Sequence, residues 1–199
     1  PKIYSEKIKG KEEIIINCIA KGSGMIAPNM ATMLAFIFTN TEFKKNIIKK
    51  KFLEIVDKTF NSITVDGDTS TSDMVLLISV KNKSKRLLSP NQKIFFSSLQ
   101  RVMAKISEYI VKDGEGASKF IKILVEGAKN ELDAKKVGSS VANSPLFKTA
   151  MAGSDANWGR VVMAIGKSGV NIDPQKLSIK FGDFILLKNG EKSPSCNLN

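Results

Sequence analysis

Apolar positions along the 199 residues fall into two rhythms: short runs of strand length, and longer stretches with an apolar residue every three or four positions. Glu13 to Ala20, EIIINCIA, is a short β-rich run. It enters Lys21 to Asn29, where Gly22, Gly24 and Pro28 predict irregular backbone. Thr32 to Phe38 is then an almost unbroken apolar run bounded by Thr39-Asn40, the pattern of a strand buried on both faces. The first segment therefore reads strand, loop, strand. Thr41 follows as a helix N-cap with Glu42 in the first turn. From Phe43, the positions Ile47, Ile48, Phe52, Ile55, Val56 and Phe60 keep helical spacing, with the lysines on the wet face.

Ser62 to Asp73, SITVDGDTSTSD, is dense in turn formers and precedes an apolar strand from Met74 to Val80. Ser89-Pro90 opens a second helix, Ser as cap and Pro in the first turn, and its apolar spacing runs to about Val111. Gly114 and Gly116 end it and leave Glu115 on a loop before a predicted strand from Phe120 to Val125. Ala134 to Met151 reads as a further helix interrupted by Gly138 and Pro145. Gly153 to Arg160, GSDANWGR, is read as a junction pinned by a buried Trp158. Leu177 to Leu187 is strand material split by Gly182-Asp183. No repeat of 20–50 residues and no low-complexity linker is present.

Composition narrows the class. Hydrophobic residues make up 42% and charged residues 25%, ordinary for a globular protein. No apolar run reaches the roughly 18 residues of a membrane span, and the start has no signal-peptide pattern. Cys18 and Cys196 stand far apart without metal-ligand spacing, so a reduced, cytoplasmic chain without metal is expected. The formal charge of +12 raises the question of a nucleic-acid partner. The cations are scattered lysines, with only Arg86, Arg101 and Arg160 able to read phosphate bidentately, so no nucleic-acid partner is expected. Pro1 and the tail KSPSCNLN read as places where a longer chain is interrupted.

The chemistry gathers at Thr32. A threonine at a strand mouth is ordinarily structural, since β-branched residues favour strands. This chain, however, has no histidine to activate a nucleophile. The remaining common route uses the α-amino group of an N-terminal threonine as its own base. That amine, with a reference pKa of about 7.7–8.0, suits work near neutral pH and exists only if the chain is cut before Thr32.

The stretch KGSGMIAPNMATMLAF closely resembles the cleavage-site signature of the ornithine acetyltransferase (glutamate N-acetyltransferase) family of arginine biosynthesis. Three further signatures follow in the family's order: VDGDTSTSD, with Ser72 where Asn is usual, DGEGASK and GSDANWGR. The resemblance implies an α/β fold with mixed β-sheets and helices outside, of the self-cleaving N-terminal-nucleophile type. It implies a cut between Ala31 and Thr32, making residues 1–31 the tail of an α chain and 32–199 most of a β chain, assembled as α2β2. By the same resemblance Thr32 is the nucleophile of a ping-pong transfer of acetyl from N-acetylornithine to glutamate. Lys21, Thr32 and Glu115 bind substrate, and no cofactor is used. Acetyl-coenzyme A is a second candidate donor. The family's upstream Thr-Gly of the oxyanion hole and its C-terminal Asn and Thr lie outside these residues, so an inactive fragment is one alternative. An N-terminal-nucleophile aminopeptidase or amidase, passing the acyl group to water, is another. A non-catalytic, basic binding protein is the third.

Overall fold

The computed structural model describes residues 1–10, 13–26, 33–43, 45–69, 72–80 and 89–194, the side chains of residues 45 and 89–91 aside. Two compact units divide the chain, Pro1–Phe120 and Ile121–Asn199. In the first, β1 (Lys2–Ile8), β2 (Ile14–Lys21), β3 (Leu34–Thr39) and β4 (Met74–Ser79) form one sheet in that order. The β1–β2 pair is antiparallel, with Lys2 opposite Ala20. The β2–β3 pair is also antiparallel, with Lys21 opposite Leu34. The β3–β4 pair is parallel, with Leu34 opposite Met74. A parallel pair needs a crossover, and the intervening α1 (Lys45–Lys58) lies in it.

Helix α2 (Ser89–Lys112) supplies most of the cover. Its Phe95, Leu99, Val102, Met103, Ile106 and Ile110 are fully buried, one stripe at spacings of three and four. They meet Ile14, Ile16, Cys18 and Ala20 of β2 and Ala35 and Ile37 of β3 in a single core, with Ile48, Ile55 and Val56 of α1.

Three local expectations fail here for identifiable reasons. The strand expected from Thr32 to Phe38 is buried on one face only: Ala35, Ile37 and Thr39 are enclosed, whereas Leu34 and Phe36 are half-buried and Phe38 is 36% exposed. The described helices of this unit, α1 and α2, pack on the enclosed face. Helix α1 starts at Lys45, beyond the Thr41 cap, and carries no acidic residue in its first turn; Phe60 falls in a separate 3-10 turn, Phe60–Ser62. Strand β1 goes unanticipated because charged Lys2 and Glu6 alternate with Tyr4 and Ile8 on its inward face, which breaks the apolar pattern. Glu6 there pairs with Arg101 of α2 and Lys2 with Asp113, while Ile3 points outward. The cap expected at Ser89 involves a side chain outside the described set.

The second unit holds α3 (Glu131–Ala142), α4 (Pro145–Ala152), α5 (Trp158–Gly166) and an antiparallel sheet of β5 (Ile179–Phe181), β6 (Phe184–Lys188) and β7 (Glu191–Lys192). Val137, Val141, Phe147, Ala164, Ile179 and Leu187 share its core. The single helix expected from Ala134 to Met151 is two. Ser144 accepts from the Phe147 N–H as an N-cap, and Pro145 starts α4, where its missing N–H costs nothing. No strand forms from Phe120 to Val125; Ile123 and Val125 pack against the unit's core instead. The expected Gly182-Asp183 break is the β5–β6 turn. Both units are mixed α/β.

Candidate active site

The site in the first unit is built from three chain segments that meet beyond the end of β2. Lys21 ends that strand, and a Cβ placed on Gly22 would lie 3.5 Å from Met33 Cα, so the two ends of the Gly-rich loop run side by side. Asp66 pins the loop. Its carboxylate accepts the Met25 N–H at 2.5 Å and the Ile26 N–H at 3.0 Å, and also its neighbour Asp68 N–H at 3.0 Å. Met25 is held at φ 52°, a left-handed conformation that costs a residue with a Cβ about 1–2 kcal/mol. The two bonds from Asp66 offset that cost. The Ile26 carbonyl accepts from the Val65 N–H at 2.6 Å and from Thr64 Oγ1 at 3.0 Å. The third segment follows α2: the Glu115 N–H donates to the Ser23 carbonyl at 2.8 Å. Gly114 makes that approach possible, because a Cβ there would stand 2.8 Å from Val65 Cγ1.

Lys21 and Glu115 line the same open depression, about 550 Å³, together with Ser23, Gly24, Asp66 and Asp113. Gly24 leaves room for the Glu115 carboxylate, whose Oε2 lies 3.1 Å from where a Cβ would be. Asp113 is engaged by Lys2, and Asp66 by backbone. Lys21 and Glu115 have no side-chain hydrogen bond or ion pair among the described residues. Lys21 and Glu115 thus remain available in one depression, a disposition suited to a small molecule carrying both charges.

At the adjacent entry to β3, Asp73 Oδ1 accepts the Met33 N–H at 2.6 Å, and the Met74 N–H donates to the Met33 carbonyl at 3.1 Å. Burial raises the Asp73 pKa, opposed by the Met33 N–H and by the Lys21 charge. The expected nucleophile Thr32 and its neighbour Ala31 lie outside the described residues, directly before Met33 in the chain. Cys18 offers no competing nucleophile: burial pushes its thiol up to about 12. Among the described residues no cluster of three metal-ligating side chains occurs, and no helix is long and apolar enough to cross a membrane.

In the second unit the GSDANWGR stretch is tied by local contacts. Asn157 caps α5 by accepting the Arg160 N–H, Arg160 Nη1 donates to the Leu146 carbonyl, and Trp158 is half-buried rather than buried. The SITVDGDTSTSD stretch, expected to be a turn, supplies two separate ties, Asp66 to the loop and Asp73 to the strand mouth. An Asp-Gly pair signals the Asp66 turn, but nothing local marks Asp73.

These features define a mixed α/β protein with an oppositely charged depression beside the loop joining two central strands. The chain matches the ArgJ family over residues 1–198, and it belongs to that family. It is 45% identical over 202 residues to the arginine biosynthesis bifunctional protein ArgJ of Bradyrhizobium diazoefficiens, an alignment covering 98% of this chain and 49% of that protein. With the protein of the same name from Ruegeria pomeroyi the identity is 51% over 177 residues, 89% of this chain and 43% of the relative. The crystal structure of the arginine biosynthesis bifunctional protein argJ from Bacillus halodurans is similar at a TM-score of 0.76 and 36% identity, over 80% of this chain and 76% of that one. The chain spans about half the length of the relatives it matches.

Proposed function

We propose that these residues belong to a self-cleaving acetyltransferase that moves acetyl from N-acetylornithine to glutamate. Thr32 is the nucleophile, and Lys21 and Glu115 receive the charged ends of the substrates. The observation that carries the reading is that Lys21 and Glu115, neither with a side-chain partner among the described residues, line one depression whose Gly22 lies against Met33, the residue after Thr32. Membership of the ArgJ family supports it.

In maturation Thr32 Oγ attacks the Ala31 carbonyl, the peptide becomes an ester, and water hydrolyses it, leaving an Ala31 carboxylate and a free Thr32 amine. Residues 1–31 then end an α chain and Thr32 begins a β chain, paired as α2β2 in the cytoplasm. In turnover the Thr32 hydroxyl adds to the acetyl carbonyl while its proton passes to the α-amine. Collapse forms acetyl-Thr32 and returns the proton to the departing ornithine amine. The glutamate amine then takes the acetyl group, and Thr32 recovers its proton. Splitting one displacement into two easier ones is the gain from the covalent step. The relatives are named bifunctional, which makes acetyl-coenzyme A the second donor to assay.

Intact-mass analysis and N-terminal sequencing of the complete protein test the reading. A β chain starting at Thr32, absent in Thr32→Ala and slow to appear in Thr32→Ser, is the expected result, with labelled acetyl moving from N-acetylornithine to glutamate. Active protein lacking that chain refutes the nucleophile, and acetyl released only to water makes the protein a hydrolase.

A further inference from the structure

We propose that Asp73 is a positioning residue for the Thr32 nucleophile, aligning it through the Met33 peptide nitrogen and providing the counter-charge for the ammonium that forms as its amine takes the hydroxyl proton. The inference rests on the reading of Thr32 as the nucleophile. It starts from one hydrogen bond: Asp73 Oδ1 holds the Met33 N–H at 2.6 Å, and that nitrogen belongs to the peptide joining Thr32 to Met33. Met33 is locked on its other side as well, its carbonyl accepting from the Met74 N–H and its side chain 3% exposed. The residue after the nucleophile is therefore fixed at both its N–H and its C=O, which aligned chemistry requires.

The second oxygen of the same carboxylate is unused. Asp73 Oδ2 is buried and finds no hydrogen-bond partner among the described residues. A buried carboxylate oxygen without a donor is costly, so its retention on the residue that holds Met33 asks for a functional account. An amine that accepts a proton during each addition step supplies the missing donor and the missing charge together. This division of labour, one carboxylate orienting and offsetting a base that becomes cationic, is the one a triad aspartate performs for histidine. Lys21 is the charged group acting on Asp73 among the described residues; with the Met33 N–H it favours the ionised carboxyl against burial.

Asp73→Asn is the informative variant, since it keeps an acceptor for the Met33 N–H and removes only the charge. The native carboxyl holds its proton more tightly than an unfolded one. Its contribution to stability is therefore complete below the unfolded pKa and lost as pH rises through the folded pKa. Removing the charge at neutral pH should thus leave the fold intact.

The experiment uses the complete protein. It measures melting temperature, the fraction of chain starting at Thr32, and kcat against pH normalised to that fraction. Expected in Asp73→Asn are an unchanged melt, slower maturation, and a plateau kcat at least about tenfold lower. Its acid limb should move down by about one pH unit, because an amine without its carboxylate neighbour ionises less readily. A variant that stays folded yet does not mature also supports the proposal. Wild-type maturation and kinetics overturn it. So does a lower kcat with an unmoved acid limb, or a collapsed melt, either of which makes Asp73 merely a structural tie. If the wild-type protein itself yields no chain starting at Thr32, the nucleophile reading fails first, and the two failures are told apart.

Discussion

Replacing Gly114 by alanine tests how the acidic wall of the site is held in place. The added Cβ would lie 2.8 Å from Val65 Cγ1, closer than packed atoms tolerate, and 3.1 Å from Val65 Cγ2 and 3.0 Å from the Val111 carbonyl oxygen, both tight contacts. Overpacking of this kind costs about 1–3 kcal/mol. Against it stands the reduced freedom of alanine in the unfolded chain, worth about 0.4–1 kcal/mol. The net loss is about 1–2 kcal/mol, a fall in melting temperature of about 2–8 °C for a chain of this size. The damage should also reach function. Relief of the clash pushes Gly114 away from Val65, loosening the Glu115 N–H bond to the Ser23 carbonyl and displacing the Glu115 carboxylate from the depression. Thermal unfolding by circular dichroism and kcat/KM of the complete protein are the assays. The companion Val65→Ala removes both γ carbons, so the double variant should be more stable than the sum of the two single losses predicts, a coupling of about 0.5–3 kcal/mol. A Gly114→Ala protein that melts with the wild type, or a cycle with no coupling, would show that Gly114 and Val65 do not press together.

The other predictions concern separate parts of the molecule. Lys21→Ala and Glu115→Gln should each lower kcat/KM by about 10- to 100-fold, the loss of one charge-assisted hydrogen bond of about 1.5–3 kcal/mol. Neither should change the melt, since neither side chain bonds to described protein groups, and wild-type kinetics in matured protein would remove that residue from the site. In a Cys196→Ser background the native protein should leave a disulfide reagent unreacted at pH 8, because the Cys18 thiol is buried and pushed up to about 12, and should react fully once denatured; rapid labelling of the native state would contradict its burial. Residues 1–199 alone should self-associate through the sheet face opposite α1 and α2, where Phe38, Met74 and Leu76 are each more than a third exposed and Phe36 is half-buried. Light scattering should find aggregates that Phe38→Lys with Leu76→Lys disperses, and a monodisperse wild-type monomer would refute this.

What the sequence made legible is what depends on near neighbours. The helical stripe of α2 and the apolar runs of β2 and β4 are periodic over a few residues, and Gly114, Glu115 and Gly116 announce a loop by themselves. The two-sided burial expected of β3 fails because an apolar run reports the side chains and not their cover, and α1 and α2 pack on one face. Strand β1 was hidden for the converse reason: Glu6 and Lys2 face inward and are satisfied by Arg101 and Asp113, partners about a hundred residues away in sequence.

The site ties belong to the same invisible class, yet they follow one geometric rule. In the parallel pair β3–β4, Leu34 faces Met74 and Ala35 faces Val75, an offset of 40 positions. The Met33–Asp73 bond continues that offset one residue before the strands begin, and the Ile26–Asp66 bond has it again in the loop ahead. Once the parallel register is known, Asp73 is the residue that must stand beside Met33, and a carboxylate there meets an N–H that the ladder itself does not use. The Asp-Gly pair marks a turn at Asp66, but the partner of neither aspartate can be read from its own neighbours, because the crossover through α1 sets which residue arrives opposite which. The register that joins β3 to β4 therefore also brings a charged group to the peptide bond after Thr32, so that the sheet's pairing and the proposed alignment of the nucleophile have a single structural cause.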